Sequence, residues 1–196
     1  MGKRLFDLLA AVCGLVSISP LLLVIAAAIK VDSPGAIFFR QERIGRSGVP
    51  FRIHKFRTMR MDAEGKGQLT VGRDGRVTRV GRVLRRFKLD ELPQLIDILT
   101  GDMSLVGPRP EVPKYVAVYP PDVKARVLSI RPGITDFASI AFRNENALLG
   151  SSQDPERTYV EEVLPEKLKL NLAYLDRQSF LLDLQIIFKT LLALIR

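Results

Sequence analysis

The stretch LFDLLAAVCGLVSISPLLLVIAAAI, from Leu5 to Ile29, decides what kind of chain this is. At about 1.5 Å per helical residue it is long enough to cross a bilayer core of about 30 Å. A transmembrane helix is therefore one reading, and a signal peptide another. Two features point elsewhere. Ser19-Pro20 lies inside the run, where proline removes a helical hydrogen bond and clashes with the preceding turn, so a sharp kink is expected. Cations also stand on both flanks: Lys3 and Arg4 before, and Lys30, Arg40, Arg43 and Arg46 after. The positive-inside rule keeps both flanks cytoplasmic. A helix that enters, breaks at Ser19-Pro20 and returns to the same face meets both observations. On these residues alone the spanning geometry stays open beside it.

The rest of the composition agrees with a membrane setting. The chain has 196 residues, enough for one domain with a real core and too few for two comfortable ones. Its apolar share of 47% with a net charge of +9 is unlike a disordered chain. A basic, apolar protein suits either nucleic acid or an anionic membrane. Aromatics make up 7% with no Trp, which leaves little for stacking on single-stranded nucleic acid. The single Cys13 excludes an intramolecular disulfide framework and a structural zinc site, and the single His54 excludes multi-histidine chemistry. Any acid, base or nucleophile must come mainly from carboxylates, hydroxyls or lysines.

Beyond Lys30, Asp32-Ser33-Pro34-Gly35 is a turn cluster. Ala36 to Phe39 reads as a short strand, Arg43 to Phe51 as a hairpin loop, and Phe51 to Phe56 as a second strand with alternation. Met61 to Gly75 is polar and glycine-rich and reads as a mobile surface loop. Arg79 to Lys88 turns helical, with Val80, Val83, Leu84 and Phe87 on an apolar stripe. Arg79, Arg82, Arg85 and Arg86 form a basic face, suited to phosphate or merely solvated. The tail from Leu168 to Arg196 is apolar but interrupted by Asp183, Gln185 and Lys189. That suits a helix lying along an interface or one packed against the core.

The chemistry concentrates in Lys88-Leu89-Asp90-Glu91-Leu92-Pro93-Gln94-Leu95. Asp90 is placed to N-cap a helix with Pro93 in its first turn, and capping is the commoner use of such an Asp. Helix starts also gather anions. Two carboxylates there, with Arg85, Arg86 and Lys88 just before them, could hold a divalent metal beside a phosphate. The same cations are expected to keep Asp90 ionised. Gly107-Pro108-Arg109-Pro110 fixes an arginine between two prolines, which suits bidentate phosphate contact or an ordinary surface turn. Lys55-Phe56-Arg57-Thr58-Met59 and Arg131-Pro132-Gly133-Ile134-Thr135 are further basic segments. None matches a Walker loop, a Rossmann fingerprint or an HExxH site.

Together these segments resemble the monotopic bacterial sugar transferases, the small polyprenyl-phosphate phosphoglycosyl transferases. The match runs in order through the run broken at Ser19-Pro20, Phe38-Phe39-Arg40-Gln41-Glu42-Arg43-Ile44-Gly45, Lys55 to Met59, and Arg76-Val77-Thr78-Arg79-Val80-Gly81. It continues through Leu89 to Leu95, Gly101 to Pro110, and Arg131 to Thr135, so that nearly the whole chain is covered.

The resemblance implies an α+β, mainly helical fold. A re-entrant N-terminal membrane helix (residues 1–31) would precede a catalytic domain (32–196) with a short β-hairpin and amphipathic interface helices, on the cytoplasmic face of the bacterial inner membrane. Asp90 would attack the sugar-bearing phosphate of a UDP-sugar, release UMP and pass the phospho-sugar to polyprenyl phosphate. Glu91 would assist as metal ligand or proton acceptor, and Asp90 with Glu91 would hold Mg2+. Lys55, Arg57, Arg86, Lys88, Arg109 and Arg131 would bind substrate. Membrane lipids and a second copy of the chain are further partners the resemblance allows; nucleic acid is not among them. A non-catalytic basic membrane anchor for anionic lipid or nucleic acid is the alternative. Two departures stand out: many relatives continue Pro-Gly-Ile-Thr with Gly-Trp-Ala-Gln where this chain has Asp136-Phe137-Ala138-Ser139, and many have Leu-Asp where it has Leu170-Asn171 before Tyr174.

Overall fold

The computed structural model describes residues 2–60 and 74–195. The surface loop expected over Met61 to Gly75 lies, through residue 73, outside the described residues. Helix α1 spans Gly2–Asp32 and stays helical across Pro20. The helical assignment thus runs on through Ser19-Pro20, where a break was expected, and the carbonyl that Pro20 leaves free has a local partner. Pro20 cannot donate to the carbonyl four residues back, which is Val16's. The Ser19 hydroxyl donates to that carbonyl instead, at 2.8 Å.

α1 is the one helix among the described residues long and apolar enough to cross a membrane, and most of it is exposed. One stripe is not. Asp7, Ala11, Ile25 and Ile29 are buried, and Gly14, Ile18 and Leu22 between them are half-buried, at the spacing of a single helix face. Ala11 joins Ile53, Ile98 and Met103 in one core cluster, while Ile25 and Ile29 join Phe56 and Leu84 in another. Both ends of the helix thus rest on the same body. Its N-terminal end is also pinned by charge. Lys3 Nζ meets Asp183 Oδ2 at 2.5 Å, and buried Asp7 accepts from the Ser104 hydroxyl at 2.7 Å.

Strands β1 (Phe38–Ile44) and β2 (Pro50–Phe56) form an antiparallel hairpin with Phe39 opposite Lys55 and Arg43 opposite Phe51. β1 runs farther than its sequence suggests, and the connection is only residues 45–49. Its inward positions are Phe39, Gln41 and Arg43, two of them polar, so apolar alternation does not mark the strand. Arg43 makes inward burial tolerable by donating to Gln41 Oε1 and Pro110 O.

Helix α2 (Arg79–Arg86) is N-capped by Thr78 and packs Leu84 into the core. Val83 and Phe87 are exposed, so the expected four-residue stripe narrows to Val80 and Leu84. Then come α3 (Gln94–Thr100), β3 (Ser104–Val106), α4 (Pro113–Val116), α5 (Pro121–Val127) and β4 (Gly133–Thr135). β3 and β4 pair in parallel, with Val106 opposite Thr135. Gly107 and Gly133 allow this close crossing: a Cβ on Gly133 would lie 2.1 Å from Gly107 N. After α6 (Phe137–Ala141), α7 (Glu145–Gly150) and α8 (Pro155–Thr158), a π turn over Tyr159–Val163 leads into α9 (Leu164–Arg177).

The tail is split at Gln178 and Ser179, and α10 (Phe180–Ile195) follows. One face of it bears out the reading of a helix packed against the core. Ile186 is buried with Val106 and Tyr174, whereas Leu181, Phe188 and Leu191 point outward and remain exposed.

Candidate active site

The period of β2 puts Phe51, Ile53 and Lys55 on one face, so the burial of Ile53 draws Lys55 inward with it. Its ammonium donates to Glu91 Oε1 at 3.0 Å. Arg109 arrives at the same oxygen from the end of β3, through Gly107 and Pro108. Its Nη2 donates to Glu91 Oε1, its Nη1 to Ile134 O at 3.0 Å, and its backbone N to Asp136 Oδ2 at 3.2 Å. Glu91 therefore lies between two cations.

Asp90 and Glu91 occupy a 3₁₀ turn, Leu89–Glu91, between α2 and α3. Lys88 precedes it in the left-handed region at φ 55°, a conformation that costs a non-glycine residue about 1–2 kcal/mol. That reversal turns the chain out of α2 and directs Asp90 inward, where it is 8% exposed. The expected capping role is overturned. Pro93 stands at the N-cap of α3 with no side-chain cap, because the preceding turn is closed by i→i+3 backbone bonds such as Leu92 N to Leu89 O. Asp90 Oδ1 is buried and has no hydrogen-bond partner. A structural carboxylate normally has its oxygens bonded, so this one calls for a functional reason.

The bacterial sugar transferase family model matches residues 1–196. A UDP-N-acetylgalactosamine-undecaprenyl-phosphate N-acetylgalactosaminephosphotransferase of Aeromonas hydrophila is 38% identical over 192 residues, 96% of this chain and 42% of that protein. A UDP-glucose:undecaprenyl-phosphate glucose-1-phosphate transferase of Caulobacter vibrioides is 39% identical over 199 residues, 100% of this chain and 70% of that protein. An uncharacterized sugar transferase of Bacillus subtilis, EpsL, is 38% identical over 188 residues, 96% of this chain and 84% of that protein. The chain belongs to the bacterial sugar transferase family.

In this sugar transferase the fold brings together four of the expected residues: Lys55, Asp90, Glu91 and Arg109. Lys88 is exposed at the edge of that group, and Arg86 is exposed with its guanidinium 5.5 Å from the Phe87 ring centroid. Two others are engaged elsewhere. Arg57 donates to the carbonyls of Ser33 and Pro34 and so holds the turn after α1. Arg131 Nε donates to Gly101 O at 2.8 Å.

Sequence reasoning missed Arg43 and Asp136 as parts of the site. Arg43 sits 3.6 Å from Glu111 and donates to Pro110 O, so it braces the segment that carries Arg109. Arg43 lies on the inward face of β1, and because Gln41 and Arg43 are themselves the polar residues there, no apolar alternation pointed to it. Asp136 bonds Arg109 only because β3 and β4 are paired, which no local pattern announces.

The two adjacent carboxylates have opposite acidities. Burial, and then the charge of Glu91, raise the Asp90 pKa against the pull of Lys55, Arg85 and Lys88. The surrounding cations favour the ionised form of Asp90, as expected, while burial acts against them as the larger influence and lifts its pKa above the ordinary carboxylate value. Glu91 is buried too, but there Arg109, followed by Lys55 and Lys88, outweighs desolvation and holds it well below the usual carboxylate range. Burial lowers the Lys55 pKa, with Glu91 opposing. Neighbouring acids pushed apart in this way are suited to different tasks.

The donor set also bears on Mg2+. No group of three or more His, Cys, Asp or Glu gathers among the described residues. Magnesium is commonly held by one or two carboxylates plus substrate phosphates and water, and Asp90 and Glu91 are the two carboxylates present at this site. The unpartnered Asp90 oxygen fits the ion best, since Glu91 Oε1 already accepts from Lys55 and Arg109.

Proposed function

We infer that this chain transfers a phospho-sugar from a UDP-sugar to undecaprenyl phosphate and releases UMP, through a covalent aspartyl intermediate. An Asp90 carboxylate oxygen attacks the sugar-bearing phosphorus. The bond from that phosphorus to the oxygen bridging the two phosphates breaks, and the bridging oxygen leaves with UMP. The phospho-sugar is now an acyl phosphate on Asp90. A phosphate oxygen of undecaprenyl phosphate then attacks the same phosphorus, which displaces the carboxylate and yields a diphosphate-linked lipid. Two easier steps replace one difficult transfer.

The observation that carries this reading is the buried Asp90 oxygen without a partner, one residue from a Glu91 held between Lys55 and Arg109. Those two cations are suited to receive phosphate oxygens, since such transfers depend on positioning and charge stabilisation. Glu91, held ionised between those cations, orients them. A bound Mg2+ would offset the repulsion between carboxylate and diphosphate. The Aeromonas hydrophila and Caulobacter vibrioides relatives, transferases between a UDP-sugar and undecaprenyl phosphate, supply the substrate classes.

The membrane reading rests on α1. Both of its ends rest on one body and both flanks carry cations, which supports a helix that dips into the cytoplasmic leaflet of the inner membrane and does not cross. A non-catalytic basic anchor would leave the unpartnered Asp90 without a role.

Incubating the detergent-solubilised protein with UDP-glucose or UDP-N-acetylgalactosamine and Mg2+, without lipid acceptor, should add one phospho-sugar to its intact mass. Asp90→Asn should fold and carry no adduct. A wild type that turns over yet never carries the adduct would show direct transfer and refute the covalent step.

A further inference from the structure

Residues 108–110 read Pro-Arg-Pro, so the one backbone N–H available to that segment is Arg109's own. It donates to Asp136 Oδ2 at 3.2 Å. The second oxygen, Oδ1, accepts from Ser139 N at 2.6 Å and caps α6. Asp136 has no solvent exposure. A carboxylate so buried is strongly disfavoured unless its oxygens are bonded and a cation lies near. Arg109 N and Ser139 N bond one oxygen each, the Arg109 guanidinium is the nearby charge, and its Nη1 reaches back to Ile134 O, two residues before Asp136. The parallel pairing of β3 with β4 delivers both partners to the same sheet edge, since Val106 stands opposite Thr135.

We propose that Asp136 is the positioning residue for Arg109: it fixes the Pro108-Arg109-Pro110 backbone so that the guanidinium stays aimed at the transferred phosphate. This role rests on the reading of Arg109 as a phosphate-holding group. An incoming phosphate competes with Glu91 for that guanidinium, so the Glu91 contact changes during the reaction. The Asp136 contact is made to the backbone, outside that competition. It is the fixed end of the arginine, and Glu91 is the exchangeable end.

Asp136→Asn is nearly isosteric and can still cap α6 through its carbonyl oxygen. Its amide then turns N–H groups toward the Arg109 N–H, donor against donor. The expected result is a roughly tenfold fall in kcat/KM for the UDP-sugar in UMP release, carried mostly by KM. In an Arg109→Ala background the same change should cause no further loss, because there is no guanidinium left to aim. Asp136→Ser provides a second variant, with a hydroxyl that caps α6 and is too short to reach Arg109 N. It should keep a thermal midpoint near wild type and show the same kinetic pattern. Losses that multiply in the double variant, or wild-type kinetics in Asp136→Asn, overturn the role while leaving the function reading intact. A wild type that releases no UMP removes the function reading and this role together.

Discussion

Asp90 and Glu91 are adjacent in sequence, yet the fold gives one an unpartnered oxygen and the other two cations. The difference comes from the 3₁₀ turn, which points successive side chains in different directions, and from Lys88, whose left-handed backbone sets where that turn begins. Arg109 is the residue on which the arrangement depends most. It bonds Ile134 O and Glu91 with two separate nitrogens of a planar fork. A lysine ammonium cannot reproduce that spread. Arg109→Lys should therefore lower kcat/KM for the UDP-sugar by roughly 10- to 100-fold, or about 1.4–2.8 kcal/mol. Steady-state UMP release checks this, and unchanged kinetics would reduce Arg109 to an occupant of a turn.

Among the elements, α2 has a seat with no room to spare. Gly81 faces the Thr58 backbone so closely that an added Cβ would lie 2.1 Å from Thr58 O. The same residue accepts the Arg85 Nε–H at its hydroxyl, at 2.8 Å, and Arg85 in turn is one of the charges acting on Asp90. Gly81→Ala should push α2 off Thr58 and carry Arg85 with it. The overpacking should cost roughly 1–3 kcal/mol, seen as a thermal midpoint lowered by roughly 2–12 °C, with slower adduct formation on Asp90. Gly75→Ala is the control, since a Cβ there meets nothing within 4 Å. Equal midpoints for the two variants would mean that α2 shifts freely and that its seat does not matter.

At the scale of the whole molecule, the proposed dip of α1 into one leaflet fixes where its two ends should lie. A helix of 31 residues is about 46 Å long, yet Asp7 near its start and Ile29 near its end are both buried against the same body. A spanning helix would carry one of them to the far side. Cysteines at Gly2, where a side chain meets nothing, and at Val31, which is 89% exposed, are suitable reporters in a Cys13→Ala background. Both should react with a membrane-impermeant maleimide in inside-out vesicles, and neither in right-side-out ones. Labelling from opposite sides would establish a crossing helix.

The sequence alone determined the apolar helix, the hairpin, the basic α2 and the segments that carry Lys55, Asp90, Glu91 and Arg109, because each rests on a local period or a short motif. It misplaced the ends of β1, where Gln41 and Arg43 face inward and erase the apolar alternation. It expected a break at Pro20, through which the helix continues with the Ser19 hydroxyl on the carbonyl that proline leaves free. It placed Asp90 at a helix cap as well as at the reaction centre, because a capping residue and a buried functional carboxylate look the same before the turn is seen. Only the tertiary structure decided that Arg57 and Arg131 hold backbone turns, while Lys55 and Arg109 share one oxygen of Glu91. Only it placed Asp136 beneath Arg109. The physical reason is common to all of these. A cation's partner, and the balance between desolvation and neighbouring charge that sets a carboxylate's acidity, depend on residues that pairing between distant strands brings together.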